Sequence, residues 1–240
     1  MRKHYILHIT SDYMMPKTIC LVSGGIDSPV AAALMSKRFE IIPLHFNHYP
    51  FYCEESFALA MKVLERLKEI TGFKTLVIVP WGRVLKRIHH ELRDRRYACV
   101  LCRRAMLDAA CRVAKIFDAS SITTGEALGQ KASQTLENLN AISHGIDCTI
   151  ERPLIGMDKD EIVKISKELD LYMDKHVGCC KAVPEFPKTR TSPKIVSKLY
   201  EELNLGEAVS EAVSRIYKST GDVHQAYMEY MKIMMGEDFG

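Results

Sequence analysis

With 240 residues, 47% of them hydrophobic, the chain carries enough apolar material for a full core but little room for a second large domain. A formal net charge of +3 is too mild to establish a nucleic-acid partner by itself. No run of about 18 apolar residues occurs, and Met1-Arg2-Lys3-His4 leads into too short an apolar stretch for a signal peptide, so membrane and secretory classes are disfavoured and a cytoplasmic enzyme is expected. In that setting the eight cysteines read as metal ligands, catalytic thiols or small buried residues rather than disulfides, with Cys20 and Cys111 as core.

Taken in chain order, residues 1–16 form an extension with room for one strand, in which Tyr5, Leu7 and Ile9 alternate. Strands are predicted at about 18–22, 41–46, 74–79, 120–124 and 148–152. Between them lie helical patterns at about 29–37, 54–70 and 84–117, the last with a break near Tyr97. A further helix at 158–169 opens on acidic residues and ends on basic and leucine residues. The run with Pro184, Pro187 and Pro193 is irregular, and residues 195 to about 235 look like two helices. Alternating strands and helices predict an α/β fold with a doubly wound, parallel, five-stranded sheet over 17–193 and a helical extension over 194–240. In such a sheet ligands bind outside the carboxyl ends of the strands, so the loops after Val22, Phe46, Thr124 and Leu154 should converge.

The densest chemical signal is Ile19-Cys20-Leu21-Val22-Ser23-Gly24-Gly25-Ile26-Asp27-Ser28. An apolar strand breaks into a turn where Gly24 and Gly25 let backbone approach a ligand, and Pro29 sits in the first turn of a helix whose amides point at an anion. A plain strand-turn-helix junction would account for Ser-Gly-Gly alone, but it does not require Asp27 and Ser28 as well. Ser-Gly-Gly-x-Asp-Ser resembles the fingerprint of the ATP-pyrophosphatase superfamily, which has an adenine nucleotide alpha hydrolase-like fold. The resemblance implies cleavage of ATP between the α and β phosphates.

Two further segments, Thr124-Gly125-Glu126-Ala127-Leu128-Gly129-Gln130-Lys131-Ala132-Ser133-Gln134-Thr135-Leu136 and Arg152-Pro153-Leu154-Ile155-Gly156-Met157-Asp158-Lys159, make the resemblance more specific. Over about 17–189 the chain is similar to the catalytic domain of the tRNA 4-thiouridine synthetase family, which replaces O4 of a uridine with sulfur. That resemblance implies that Leu21, Val22, His45 and Phe46 hold the adenosine, and that Ser23, Gly24, Gly25 and Ser28 cradle the phosphates. It also implies that Arg103, Gly125 and Gln134 complete the ATP site. Asp27 is implied at the Mg2+ and pyrophosphate end, where a hard cation uses carboxylate and phosphate oxygens. His45 is equally well a core histidine at a strand end, and is placed as a wall of the site.

Sulfur transfer needs a thiol or a metal-bound sulfide. The family's sulfur-carrying cysteine falls on Cys179 or Cys180, and the following Pro184, Pro187 and Thr189 favour Cys179. Lys175, His176 and Lys181 are near enough in sequence to depress a thiol pKa. Cys99 and Cys102 resemble the pair that, in archaeal members, joins the carrier cysteine around an iron-sulfur cluster. Structural Zn2+ bound by Cys99, Cys102, Cys179 and Cys180 is a second reading, and a redox dithiol a third.

Arg83, Lys86, Arg87, Arg93, Arg95, Arg96, Arg103 and Arg104 cluster against only Glu91 and Asp94, which suits either a tRNA phosphate backbone or an ordinary solvated helix face. Trp81, His89, His90 and Tyr97 are candidates for base stacking, and Lys188, Arg190, Lys194 and Lys198 form a second basic stretch. The family's N-terminal THUMP-type RNA-binding domain and C-terminal rhodanese domain do not fit here. A separate RNA-binding subunit or a homodimer partner is therefore expected to hold the tRNA, and sulfide or a sulfur-donor protein to supply sulfur. Two rivals stand beside tRNA thiolation: a ligase of the same fold acting on a small molecule, and a non-catalytic nucleotide- or metal-binding paralogue.

Overall fold

The computed structural model describes residues 15–130, 134–173 and 180–236. Its sheet contains β1 (Lys17–Leu21), β2 (Glu40–Asn47), β3 (Leu76–Pro80), β4 (Ser121–Thr123), β5 (Thr149–Glu151) and β6 (Tyr217–Ser219), in the spatial order β5-β4-β1-β2-β3-β6. All neighbours are parallel except β3 and β6. The chain leaves central β1 toward β2 on one side and returns to β4 on the other, so the strand order reverses at β1. A crevice opens at the carboxyl end of such a reversal.

Residues along each strand alternate between two cores. Ile42, Leu44 and Phe46 face one cluster while Ile41 faces the other, and Val77 and Val79 oppose Leu76 and Ile78. A parallel sheet covered on both faces needs such near-continuous apolar strands. Pro43 is tolerated inside β2 because pairing to β3 begins only at Leu44, so its missing N–H interrupts no bond on that side. One face is covered by α1 (Asp27–Met35), α2 (Glu54–Thr71), α6 (Lys159–Glu168) and α9 (Val223–Gly236). The other is covered by α3 (Gly82–Glu91), α4 (Ala98–Ile116), α5 (Leu136–Ser143), α7 (Pro193–Glu202) and α8 (Leu205–Ser214). At the break expected near Tyr97, the Asp94 side chain accepts the Arg96 amide at 3.2 Å and opens a short 3-10 turn over Arg95–Tyr97.

Several expectations are corrected. Among the described residues the sheet has six strands rather than five, and the carboxyl-terminal segment holds three helices and β6 rather than two helices; Tyr5, Leu7 and Ile9, where a further strand is expected, lie outside the described residues. Tyr-Lys-Ser is too short and too polar to register as a strand, and it forms one only because the free edge of β3 lies beside it. Cys111 is buried as expected but is bonded to Cys148, with Cα atoms 5.9 Å apart, because α4 lies against the start of β5. Trp81 cannot stack on a nucleic-acid base. It is wholly buried, with its ring edge-on to Phe46 at 4.7 Å and its Nε1–H donating to Cys102 Sγ at 3.4 Å.

Among the described residues, no helix is long and apolar enough to cross a membrane. Trp81 is the only tryptophan, so its burial has an optical signature. Native protein is expected to emit at the blue end of the tryptophan range and to shift red in a single step on unfolding. Trp81→Ala should cost about 3–5 kcal/mol, read from urea denaturation followed by circular dichroism.

Candidate active site

β1 ends where Val22 donates its amide to the Leu44 carbonyl at 2.9 Å, and the chain then turns through Ser23-Gly24-Gly25 into α1. The turn is held from inside. The Ser28 hydroxyl accepts the Ser23 amide at 2.9 Å and lies 3.1 Å from the Ser23 hydroxyl, which itself accepts the Gly25 amide at 3.3 Å. Ile26 stands at the N-cap of α1 and supplies no capping side chain, so the positive end of the helix is left for an anion. By contrast, α6 is closed by a full capping box between Asp158 and Glu161.

The loop after β4 presses against this turn. A Cβ on Gly125 would lie 2.6 Å from the Ser28 backbone, so any other residue forces the two loops apart. The loop after β5 joins them through Leu128 N–H to Ile155 O at 3.3 Å. The turn after β1, the loop after β4, the end of β2 and residues of α2 and α4 enclose a cavity of about 500 Å³, within the range of small-ligand sites, whereas the loop after β5, expected to converge there, braces the β4 loop without lining the cavity. Leu21, Val22, Ser23, Gly24, Gly25, Asp27, Ser28, His45, Phe46, Arg103, Gly125 and Gln134 all line it.

His45 Nδ1 lies 3.0 Å from the Val22 carbonyl, which can only accept, so Nδ1 carries the proton. Burial drives the His45 pKa down to about 4, against a smaller opposing effect of that hydrogen bond. His48, also on the cavity wall, is pushed to about 3 by burial and by His45, and both its ring nitrogens lack a partner among the described residues. Buried Gln134 likewise has an unpartnered Oε1. Polar atoms left unsatisfied on a cavity wall fit a ligand with hydrogen-bonding edges, as a nucleotide has.

Two residues that the sequence marks only as members of their motifs take defined places. Lys159, the first residue of α6, pairs with Asp27, which lines the cavity. Glu126 is buried between Arg103 and Arg152. No local pattern signals either contact, because the partners are far apart in the chain.

The thiols lie at the same edge of the sheet as the cavity. Cys99 and Cys102 occupy the first turns of α4, and Arg103, next to Cys102, reaches the cavity. Burial drives the Cys102 thiol up to about 12; nearby Cys180 and Cys99 add to the rise, while the Trp81 hydrogen bond opposes it. Cys180 is carried on a segment pinned by Lys181 N–H to Phe51 O at 3.0 Å and by Lys188 N–H to Arg96 O at 2.9 Å. Thr135 and Asn138 hold the same segment through the carbonyls of Thr189 and Lys188. Among the described residues, no three His, Cys, Asp or Glu side chains are placed to hold a metal ion. Cys179, Lys175 and His176 lie outside the described residues.

The arginine run is largely engaged within the fold. Arg83 pairs with Glu211, Arg87 with Glu91 and Glu207, and Arg96 with Asp94, while Arg104 lies over the Tyr200 ring. It is therefore a poorer phosphate-binding face than its composition suggests.

Two outcomes follow from this geometry. Gly125→Ala should lower the unfolding temperature, because the added Cβ forces the loops after β1 and β4 apart, while the far-ultraviolet spectrum of the folded chain persists. For His45 the folded pKa of about 4 lies below the ordinary 6.5, so the unfolded chain takes up protons that the fold cannot. Stability should be full above about 6.5 and fall as pH drops toward 4, with His48 acting in the same direction. Urea midpoints at pH 7 and pH 5 should show the loss, and His45→Gln should reduce the difference.

A sequence profile of the family described as "Thiamine biosynthesis protein (ThiI)" matches residues 14–205. A probable tRNA sulfurtransferase of Methanocaldococcus jannaschii is 39% identical over 196 residues, covering 79% of this chain and 50% of that protein. One of Thermococcus kodakarensis is 45% identical over 162 residues, covering 65% and 41%. The chain thus spans about half the length of the curated relatives it matches. The crystal structure of a 4-thiouridine synthetase in complex with RNA and bound ATP superposes with a TM-score of 0.79 at 33% identity, over 85% of this chain and 55% of that one. With this extent of match and the cavity built from the motifs themselves, the chain belongs to the thiamine biosynthesis protein (ThiI) family.

Proposed function

We propose that this chain carries out ATP-dependent thiolation of a tRNA uridine. The observation that carries this reading is the single cavity onto which the Ser23–Ser28 turn, Arg103, Gly125 and Gln134 all open, beside the turn of α4 that bears Cys99 and Cys102. The turn and the uncapped start of α1 bind the triphosphate, and the unsatisfied atoms of Gln134 and His48 suit the nucleoside. The uridine O4 attacks the α-phosphorus, pyrophosphate leaves, and C4 now carries AMP as a leaving group. Lys159 and the helix terminus offset the charge that grows on the departing pyrophosphate. Asp27 is the carboxylate that would hold Mg2+, which supplies further neutralisation when bound.

Sulfur then replaces AMP at C4. Its source is sulfide or a persulfide on Cys179 or Cys180. In the persulfide route the terminal sulfur bonds to C4 as AMP departs. A second thiol then attacks the carrier sulfur as its thiolate, frees the thiolated base and leaves a disulfide; Cys102 lies near Cys180 but must first lose the proton that burial holds on it. Thiolates of this set suit an iron-sulfur cluster or zinc, with Cys99, Cys102 and one of Cys179 and Cys180 as ligands. Such a group would supply a site for sulfide beside the nucleotide when bound. The ion-paired arginine run favours a small-molecule substrate as the second reading, since less of its charge is open to an RNA backbone.

The deciding experiment supplies ATP, tRNA and labelled sulfur, either as sulfide or as a persulfide donor with a thiol reductant, and follows the nucleotide products. Pyrophosphate and AMP are expected in equal amounts with label entering tRNA; ADP would overturn the adenylation chemistry, and label entering only a small molecule would favour the rival. Lys159→Ala is expected to lower kcat by about 10²-fold, the scale of one lost transition-state contact, with little change in unfolding temperature.

A further inference from the structure

Glu126 has 2% of its side chain exposed, and both of its oxygens are engaged. Oε1 accepts from Arg103 Nη2 at 2.8 Å, while Oε2 accepts from Arg152 Nε at 2.6 Å and from the Thr124 hydroxyl at 3.1 Å. Arg152 in turn donates from Nη2 to the Ser143 hydroxyl at 2.7 Å. One carboxylate thus gathers α4, α5 and the loops that follow β4 and β5, and with both oxygens held it has no freedom to rotate. Burial opposes its charge, but the two guanidiniums outweigh that effect and hold its carboxyl below the usual range.

The charge balance at this point is informative. Two guanidiniums face one carboxylate, so the group retains one positive charge, and both Arg103 and Glu126 lie on the cavity wall. An arginine side chain at 27% exposure, without a fixed partner, has long rotamers available that leave the wall. Arg103 also follows Cys102 directly in the first turns of α4.

We propose that Glu126 is a positioning residue that aims the Arg103 guanidinium at the bound nucleotide. This rests on the reading of the cavity as the ATP site with Arg103 in contact with the nucleotide.

The test is a double-mutant cycle on the full chain, using an ATP analogue that resists cleavage between the α and β phosphates, with affinity read by calorimetry and folding by thermal unfolding. Arg103→Ala is expected to weaken binding about tenfold or more, the scale of a charge-assisted hydrogen bond, and Glu126→Gln by a similar factor. The double variant should bind no more than about threefold more weakly than either single, because the two residues act through one contact. A carboxylate with a purely structural role would lower the unfolding temperature and leave the affinity of the folded protein unchanged. If Glu126→Gln does not fold, Glu126→Asp keeps the charge but withdraws it by one methylene, and the same loss of affinity is expected. Arg103→Ala weakened, with either Glu126 variant binding as the parent does or with losses that multiply in the double, overturns the positioning role alone. Unchanged affinity in Arg103→Ala overturns the nucleotide reading as well.

Discussion

The approach of Gly125 to the backbone of Ser28 is the constraint on which the site depends. It brings the loop after β4 onto the first turn of α1, so that two motifs about a hundred residues apart become the two walls of one cavity. The sheet makes this possible because β4 and β2 flank β1 with parallel register, Thr18 opposite Ser121 on one side and Ile41 on the other. Strand ends that are level place their loops level. A glycine at the contact then removes the last steric obstacle between them.

Around that contact the polar groups divide into two kinds. Some are fully used within the protein: Ser23 with Ser28, Thr18 with Thr123 and Ser121, and Glu126 with two arginines. Others are left unsatisfied on the wall, namely Gln134 Oε1 and the ring nitrogens of His48. The first kind sets the shape, and the second supplies the hydrogen-bonding capacity a ligand would meet. Two neutral histidines keep the β2 side of the cavity free of charge, while positive charge reaches the α4 side through Arg103 and the Asp27 carboxylate through Lys159. A triphosphate and a nucleoside would meet different walls.

The thiol arrangement follows the same economy of position. Cys99 and Cys102 lie three residues apart at the start of a long helix, and Cys180 arrives on a segment tied down at Phe51 and Arg96. None of these anchors is hydrophobic packing; they are backbone hydrogen bonds between loops. Side-chain donors from Thr135 and Asn138 and the burial of Ala182 in the core hold the same proline-rich segment.

Much of the site could be read along the chain. The strand ending at the Ser23–Ser28 turn, the alternation of strands and helices, the capped start of α6 and the family resemblance all reside in contiguous residues, whose period, glycine spacing and capping chemistry are local properties. The order of the strands, the partner of Lys159, the burial of Glu126 between two arginines, the Cys111–Cys148 bond and β6 could not be read in this way. Nor could the pairing of Arg83 and Arg87 with carboxylates of α8. Each depends on groups brought together from distant points of the chain, and a linear pattern contains no distance between them. The sequence by itself determined which chemical groups are present and the local backbone that displays them. Tertiary structure decided which of those groups neutralise one another and which are left facing the cavity, because charge and hydrogen bonds are satisfied by neighbours in space.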